Sequence, residues 1–190
     1  MLVIKEVGDE GIAKVYIGKI REKYIEFAES LQPPLPIEEK WVIIISCLFG
    51  CPVRCLMCDA GQHYYGRLDK EEIFKQIDYL VSKRFSDKIV PVKKFKVQFT
   101  RMGEPAFNDD VLDILEELPI RFKAKGLMPS ISTIGPKNCD KFFKRLQEIK
   151  NSLYNNGKFQ MQFSIHTTDI EKRNKLIPVS KMSFKEIAKY

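Results

Sequence analysis

Four of the five cysteines in this 190-residue chain fall between Cys47 and Cys58. Cys51, Cys55 and Cys58 have the spacing C-x3-C-x2-C directly after Gly50, whose missing side chain lets the backbone bend. Three thiolates on one loop can occupy three corners of a metal centre. A structural zinc site wants four ligands, usually from two separated pairs, and no second pair exists here. A cubane held by only three protein sulfurs leaves one iron open to a further ligand. The spacing favours a 4Fe-4S cluster, with zinc as the alternative. Cys47 could serve as a fourth ligand, but its place at the end of the apolar run Trp41 to Ile45 favours a plain buried thiol.

These residues need a scaffold, and composition bounds it. An apolar content of 44% is ordinary for one soluble globular domain. No apolar run approaches the roughly 20 residues of a membrane span, and "MLVIKEVGDEG" lacks a secretory pattern. Clustered, odd-numbered cysteines without an export signal predict reduced thiols, a cytoplasmic protein and no membrane partner. The net charge of +7 is uneven: Met1 to Leu118 carries 17 Lys and Arg against 20 Asp and Glu, and Pro119 to Tyr190 carries 15 against 5. A basic C-terminal part suits either a phosphate-bearing partner or a solvated lysine-rich surface.

Leu2 to Val7 and Ala13 to Ile20 read as a β-hairpin turned by "GDEG". "REKYIEFAES" fits a further strand or a helix, and the Pro-rich "LQPPLP" stops either one. The boundary falls there: residues 1–40 form an N-terminal hairpin extension and linker, and residues 41–190 form the core. "WVIIIS" has the β-branched character of a strand buried on both faces, and "DKEEIFKQIDYLVSKR" begins with Asp69 as N-cap and Glu72 at the capping-box position. "FKVQFT" leads to "DDVLDILEEL", with Asn108 as a cap and Leu118 as the last buried position. "PSISTIG" with "KNCDKFFKRLQEIK", and "FQMQFSIH" with a segment starting near Glu171 or Ser183, complete about four βα units. The predicted fold is α/β, a partial barrel of parallel strands whose reactive groups sit at the strands' carboxyl ends.

The motif Cx3CxxC after a first strand resembles the radical S-adenosylmethionine (SAM) superfamily. "GCPVRCLMCDAGQHYYGRL", "RMGEPAFN", "SISTIGP" and "FSIHTTDIEKRNKLIPVSK" together resemble the RlmN and Cfr type of ribosomal RNA adenine methyltransferases, in order and at similar spacings, over about Trp41 to Lys181. The resemblance implies that Cys51, Cys55 and Cys58 hold a 4Fe-4S cluster whose open iron chelates SAM. It also implies reductive cleavage of SAM to a 5′-deoxyadenosyl radical, a flavodoxin or ferredoxin-like electron donor, and RNA as substrate. Gly103 and Glu104 would contact the methionyl part of SAM, while Ser132, Ser164, Ile165 and His166 would line the third and fourth strand ends. Read without the family, Ser132 could cap a turn and His166 could be a core histidine. His63, Tyr64 and Tyr65 could shield the cluster, stack on a base or pack the loop. The lysines at 137, 141 and 144 with Arg145 fit a solvated helix face or a phosphate track.

Two departures stand beside the resemblance. The methyltransferases use a cysteine seven positions before the cluster motif, where this chain has Ile44, and a methyl-carrying cysteine on a late strand, where the one later cysteine, Cys139, starts a helix. The methyl-cysteine mechanism is therefore not supported, and no catalytic side chain is assigned. The family's final strands and its N-terminal RNA-binding domain have no counterpart. The expectation is a chain incomplete at its C-terminus, or one completed by a partner subunit. The competing readings are a radical SAM enzyme on a peptide or small metabolite, and a non-enzymatic iron–sulfur or zinc module that binds nucleic acid.

Overall fold

The computed structural model describes residues 1–190. Strands β1 (Leu2–Asp9), β2 (Ala13–Ile20) and β3 (Lys23–Leu31) form an antiparallel meander, so "REKYIEFAES" is a strand rather than a helix. Its period-two pattern decides this: Ile25, Phe27 and Glu29 are buried on one face. The buried Glu29 carboxylate is met by Tyr16 Oη at 2.6 Å, Trp41 Nε1 at 3.0 Å and Arg84 Nε at 2.5 Å.

β3 pairs antiparallel with β4 (Lys40–Ile45), and β4 pairs parallel with β7 (Lys94–Phe99), which leads to β8 (Leu127–Thr133) and β9 (Gln160–Phe163). The result is one open seven-stranded sheet, ordered β1-β2-β3-β4-β7-β8-β9. The Pro-rich segment thus joins two neighbouring strands of a single sheet and does not separate two sheets. A two-stranded ribbon that the sequence reading did not foresee, β5 (Leu48–Gly50) with β6 (Tyr64–Arg67), brackets the cysteine loop.

Helices α1 (Lys70–Arg84), α2 (Asp110–Arg121) and α3 (Asp140–Leu153) follow β6, β7 and β8. Their stripes, including Ile73, Ile77, Val111, Leu115, Phe143 and Leu146, share one core with Trp41, Ile43, Phe95, Val97 and Ile131 of the strands. Among the alternate strand positions, Lys96, Gln98 and Ser132 are partly exposed and Gln162 is exposed; Lys96 and Gln98 pair with Met128 and the buried Ser130 of β8, and Ser132 pairs with Gln162 of β9. The α1 capping box forms as predicted, with Asp69 and Glu72 exchanging hydrogen bonds.

α2 runs past Leu118 through Pro119, which the sequence pattern does not anticipate. Proline removes the N–H that would serve the Leu115 carbonyl. Tyr154 Oη donates to that carbonyl at 2.5 Å, so the helix continues without an orphaned acceptor. The last part of the chain forms α4 (Ile170–Leu176) and α5 (Phe184–Ile187), capped by Asp169 and Ser183. No helix is long and apolar enough to cross a membrane.

Candidate radical-chemistry site at the strand ends

Because β4, β7, β8 and β9 are parallel, the segments leaving them lie side by side at one end of the sheet. The four sequence motifs occupy these exits. The chain leaving β4 is clamped by Gln76 of α1, whose amide exchanges two 2.9 Å hydrogen bonds with the backbone of Ser46. Ser46 Oγ accepts from Met102 N at 3.1 Å, and Cys47 N donates to Met102 O at 2.9 Å, knitting the first exit to the second.

Asn108, expected as the cap of α2, lies one residue before the actual N-cap, Asp109. Asn108 Oδ1 accepts from Asp110 N at 3.2 Å, while its Nδ2 donates to both Cys47 O and Leu68 O at 2.8 Å. One buried side chain thereby closes the base of the excursion from 47 to 68 that carries the cysteines.

Gly50 turns this excursion with φ +82°, and a Cβ there would lie 1.6 Å from His63 O. Only glycine fits. Cys51 and Cys55 are half-buried and Cys58 is exposed. Each thiol lies within electrostatic reach of the other two. Burial pushes the Cys51 thiol up to about 11 and raises that of Cys55. A separate small apolar cluster of Val53, Ile134 and Ile177 packs against Cys51 and Cys55, and Leu56 N donates to Leu176 O at 2.9 Å. The fourth βα unit therefore covers one side of the loop.

The side chains do not form a ready group of three or more metal ligands. The fit to an iron–sulfur cluster is carried instead by the donor set: three thiols on one loop, with apolar packing behind two of them. Cys47 is 1% exposed and its thiol donates to Met102 O at 3.6 Å, so it is a buried thiol held by the core. Cys139 stands at the N-cap of α3.

Gly103 has φ +104°, and the space a Cβ would take is filled by Leu48, whose Cγ would be 2.5 Å away. This glycine brings the β7 exit onto the β5 ribbon. Glu104 is 4% exposed. Its carboxylate accepts from Thr133 Oγ1 at 2.5 Å, Ile134 N at 2.9 Å and Ala106 N at 3.2 Å. Burial pushes this carboxyl up, against the pull of those three donors. Thr133 was not singled out in the sequence; its position between Ser132 and "IG" was the available signal.

Ser132 lies on the partly exposed side of β8, with Oγ 3.4 Å from Gln162 Oε1 of β9. Ser164 N donates to Thr133 O at 2.8 Å, which carries the β8–β9 pairing one residue further. Ile165 is half-buried, and His166 is exposed with φ +63°, so it is not a core histidine. Arg173 carries no local signal in the sequence. It is 5% exposed with no carboxylate partner, donates to Met182 O at 2.9 Å, and leaves Nε without a partner.

The architecture is an open α/β sheet with a three-cysteine loop at the end of its first parallel strand. The fold matches the crystal structure of a radical SAM methyltransferase from Sphaerobacter thermophilus with a TM-score of 0.71 at 18% identity, over 93% of this chain and 49% of that one. By sequence the chain is similar to RlmN-type enzymes. It is 30% identical over 161 residues to a probable dual-specificity RNA methyltransferase RlmN of Chlorobium phaeobacteroides, covering 82% of this chain and 41% of that protein. It is 27% identical over 146 residues to the dual-specificity RNA methyltransferase RlmN of Helicobacter hepaticus, covering 75% and 37%. A Thermus thermophilus relative of the same description is 28% identical over 149 residues, covering 77% and 39%. The chain therefore spans about two fifths of the length of these relatives. No protein-family model matches it.

Proposed function

We propose that residues 41–190 are the core of a radical SAM enzyme that modifies RNA, with residues 1–40 as an extension of its sheet. The observation that carries this reading is the loop of three thiols at the exit of β4, laid against the exit of β7. Cys51, Cys55 and Cys58 would hold a 4Fe-4S cluster, and SAM would take the remaining iron. When bound, the pair supplies one-electron cleavage of SAM to a 5′-deoxyadenosyl radical.

The chain's own residues would position and shield that chemistry. Gln76 and Asn108 fix the two ends of the cysteine excursion. Glu104 ties the β7 exit to the β8 exit, which sets the floor on which a methionyl group would lie. Ser132 and Ser164 can donate to a carboxylate or ribose hydroxyl, and Ile165 and His166 would line the far wall. Val53, Ile134 and Ile177 exclude water from one side of the loop. An electron donor of the flavodoxin or ferredoxin kind would serve this chemistry. RNA as substrate is supported by the RlmN-type relatives and by the positive charge of the C-terminal part.

The test is release of 5′-deoxyadenosine from anaerobically reconstituted protein given SAM and a strong reductant, with Cys58→Ala as control. Release that depends on Cys58 is expected. A fully loaded cluster that gives none would overturn the reading.

A further inference from the structure

We propose that a cleft between the β2–β3 turn and the β5–β6 ribbon binds one unpaired nucleobase of an RNA partner. The inference rests on the reading of RNA as substrate and assigns it a contact surface outside the exits of β8 and β9.

The cleft has a volume of about 530 Å³ and lies on the flank of the cysteine loop. That is within the roughly 300–1,000 Å³ of small-molecule sites. Phe49, Tyr24, Tyr65 and His63 line it, and the His63 and Tyr65 rings are stacked at 5.9 Å. Tyr24 and Tyr65 are 59% and 58% exposed and Phe49 is buried, so the two tyrosines offer the aromatic surface that a flat partner can reach.

Cations frame these rings. Lys23 Nζ lies 5.3 Å from the Phe49 ring and 5.9 Å from the Tyr65 ring, and donates to Tyr65 O at 2.7 Å. Arg21 lies 5.2 Å from the Phe49 ring and is anchored by Glu72 at 2.5 Å. Glu22 and Asp59 also line the cleft. Two carboxylates repel a phosphate inside it but accept from the N–H groups of a base edge. The chemistry thus suits a base in the cleft, with its phosphates at the rim between Lys23 on the cleft wall and Arg21 outside it.

The turn itself points the same way. Arg21 and Glu22 occupy the two central positions of a hairpin turn with φ +47° and +60°, where Asn-Gly is the relaxed choice. Side chains are kept here at a conformational cost, a pattern that collects at ligand clamps.

The experiment uses the full chain and a short single-stranded RNA carrying 2-aminopurine, whose fluorescence is quenched on stacking. Wild type should quench it, with affinity falling as salt rises. Tyr65→Ala should weaken binding roughly 5- to 150-fold and abolish quenching at an unchanged salt slope, while Tyr65→Phe retains both. Lys23→Gln should reduce the salt slope by about one. An unchanged melting temperature for each variant keeps folding apart from binding. If wild type binds the RNA and Tyr65→Ala binds and quenches equally, the cleft proposal falls while the RNA reading stands. If wild type does not bind RNA, both fall.

Discussion

Glu104 Oε2 accepts the backbone N–H of Ile134 at 2.9 Å, so the acid of the "GEP" motif is a bolt between two strand exits. Removing it leaves the Ile134 N–H and the Thr133 hydroxyl without a buried acceptor. Glu104→Ala should cost about 2 kcal/mol, and Glu104→Gln distinctly less because its amide oxygen can still accept. Chemical denaturation of the two variants beside wild type measures the difference. Equal stabilities would show that the bolt bears no load.

Cluster assembly should separate the cysteines by position. Cys47→Ala should leave the visible absorbance of the reconstituted protein intact, because that thiol points into the core. Cys55→Ala should abolish it. Anaerobic reconstitution and an iron count per chain decide the matter, and the reverse pattern would sink the ligand assignment.

The Glu29 network predicts an acid-sensitive contribution to stability. Burial raises the Glu29 carboxyl, but the hydrogen bonds from Arg84, Tyr16 and Trp41 outweigh it and leave it below its ordinary value of 4.5. A depressed carboxylate stabilises the fold above its unfolded pKa, and this stabilisation is lost as pH falls through the lower folded value. Glu29→Gln should therefore lower stability by about 2 kcal/mol at pH 7. The gap to wild type should narrow below about pH 4.5, as thermal melts across that range would show.

Tyr154→Phe tests how α2 tolerates its proline. The variant keeps the ring and removes only the hydroxyl that serves the Leu115 carbonyl. A loss of about 1–2 kcal/mol is expected, with faster amide exchange in the last turn of α2. In a Pro119→Ala background the Leu115 carbonyl regains an N–H, and the same hydroxyl should matter less.

Much of the scaffold was legible along the chain because its signals are local. The Asp69 and Glu72 capping box lies within four residues, and the apolar periodicity of α1, α2 and α3 needs no partner to be read. The cysteine spacing was equally self-contained. Residues 21–30 were ambiguous because their pattern alone does not choose between helix and strand, and pairing with β2 and β4 makes the choice. The sequence pattern of α2 ends at Leu118, before Pro119, because what lets the helix continue, the Tyr154 hydroxyl, lies 35 positions later. The β5–β6 ribbon escaped notice because "LFG" and "YYGR" are too short to signal strands by composition.

By itself, the sequence determined which residues could do chemistry: three thiols at C-x3-C-x2-C, the acid of "GEP", and polar residues at successive strand ends, since side-chain type and short-range spacing are written in the chain. Only the tertiary structure decided what those groups face. It spent Glu104 on Thr133 and Ile134, filled the space beside Gly103 with Leu48, and turned Cys47 into the core. It also brought the 21–24 turn against the 63–65 ribbon to make a cleft. Hydrogen-bond partners and void-filling contacts depend on which distant segments meet, and parallel strands joined by helical crossovers bring together residues that no local pattern connects.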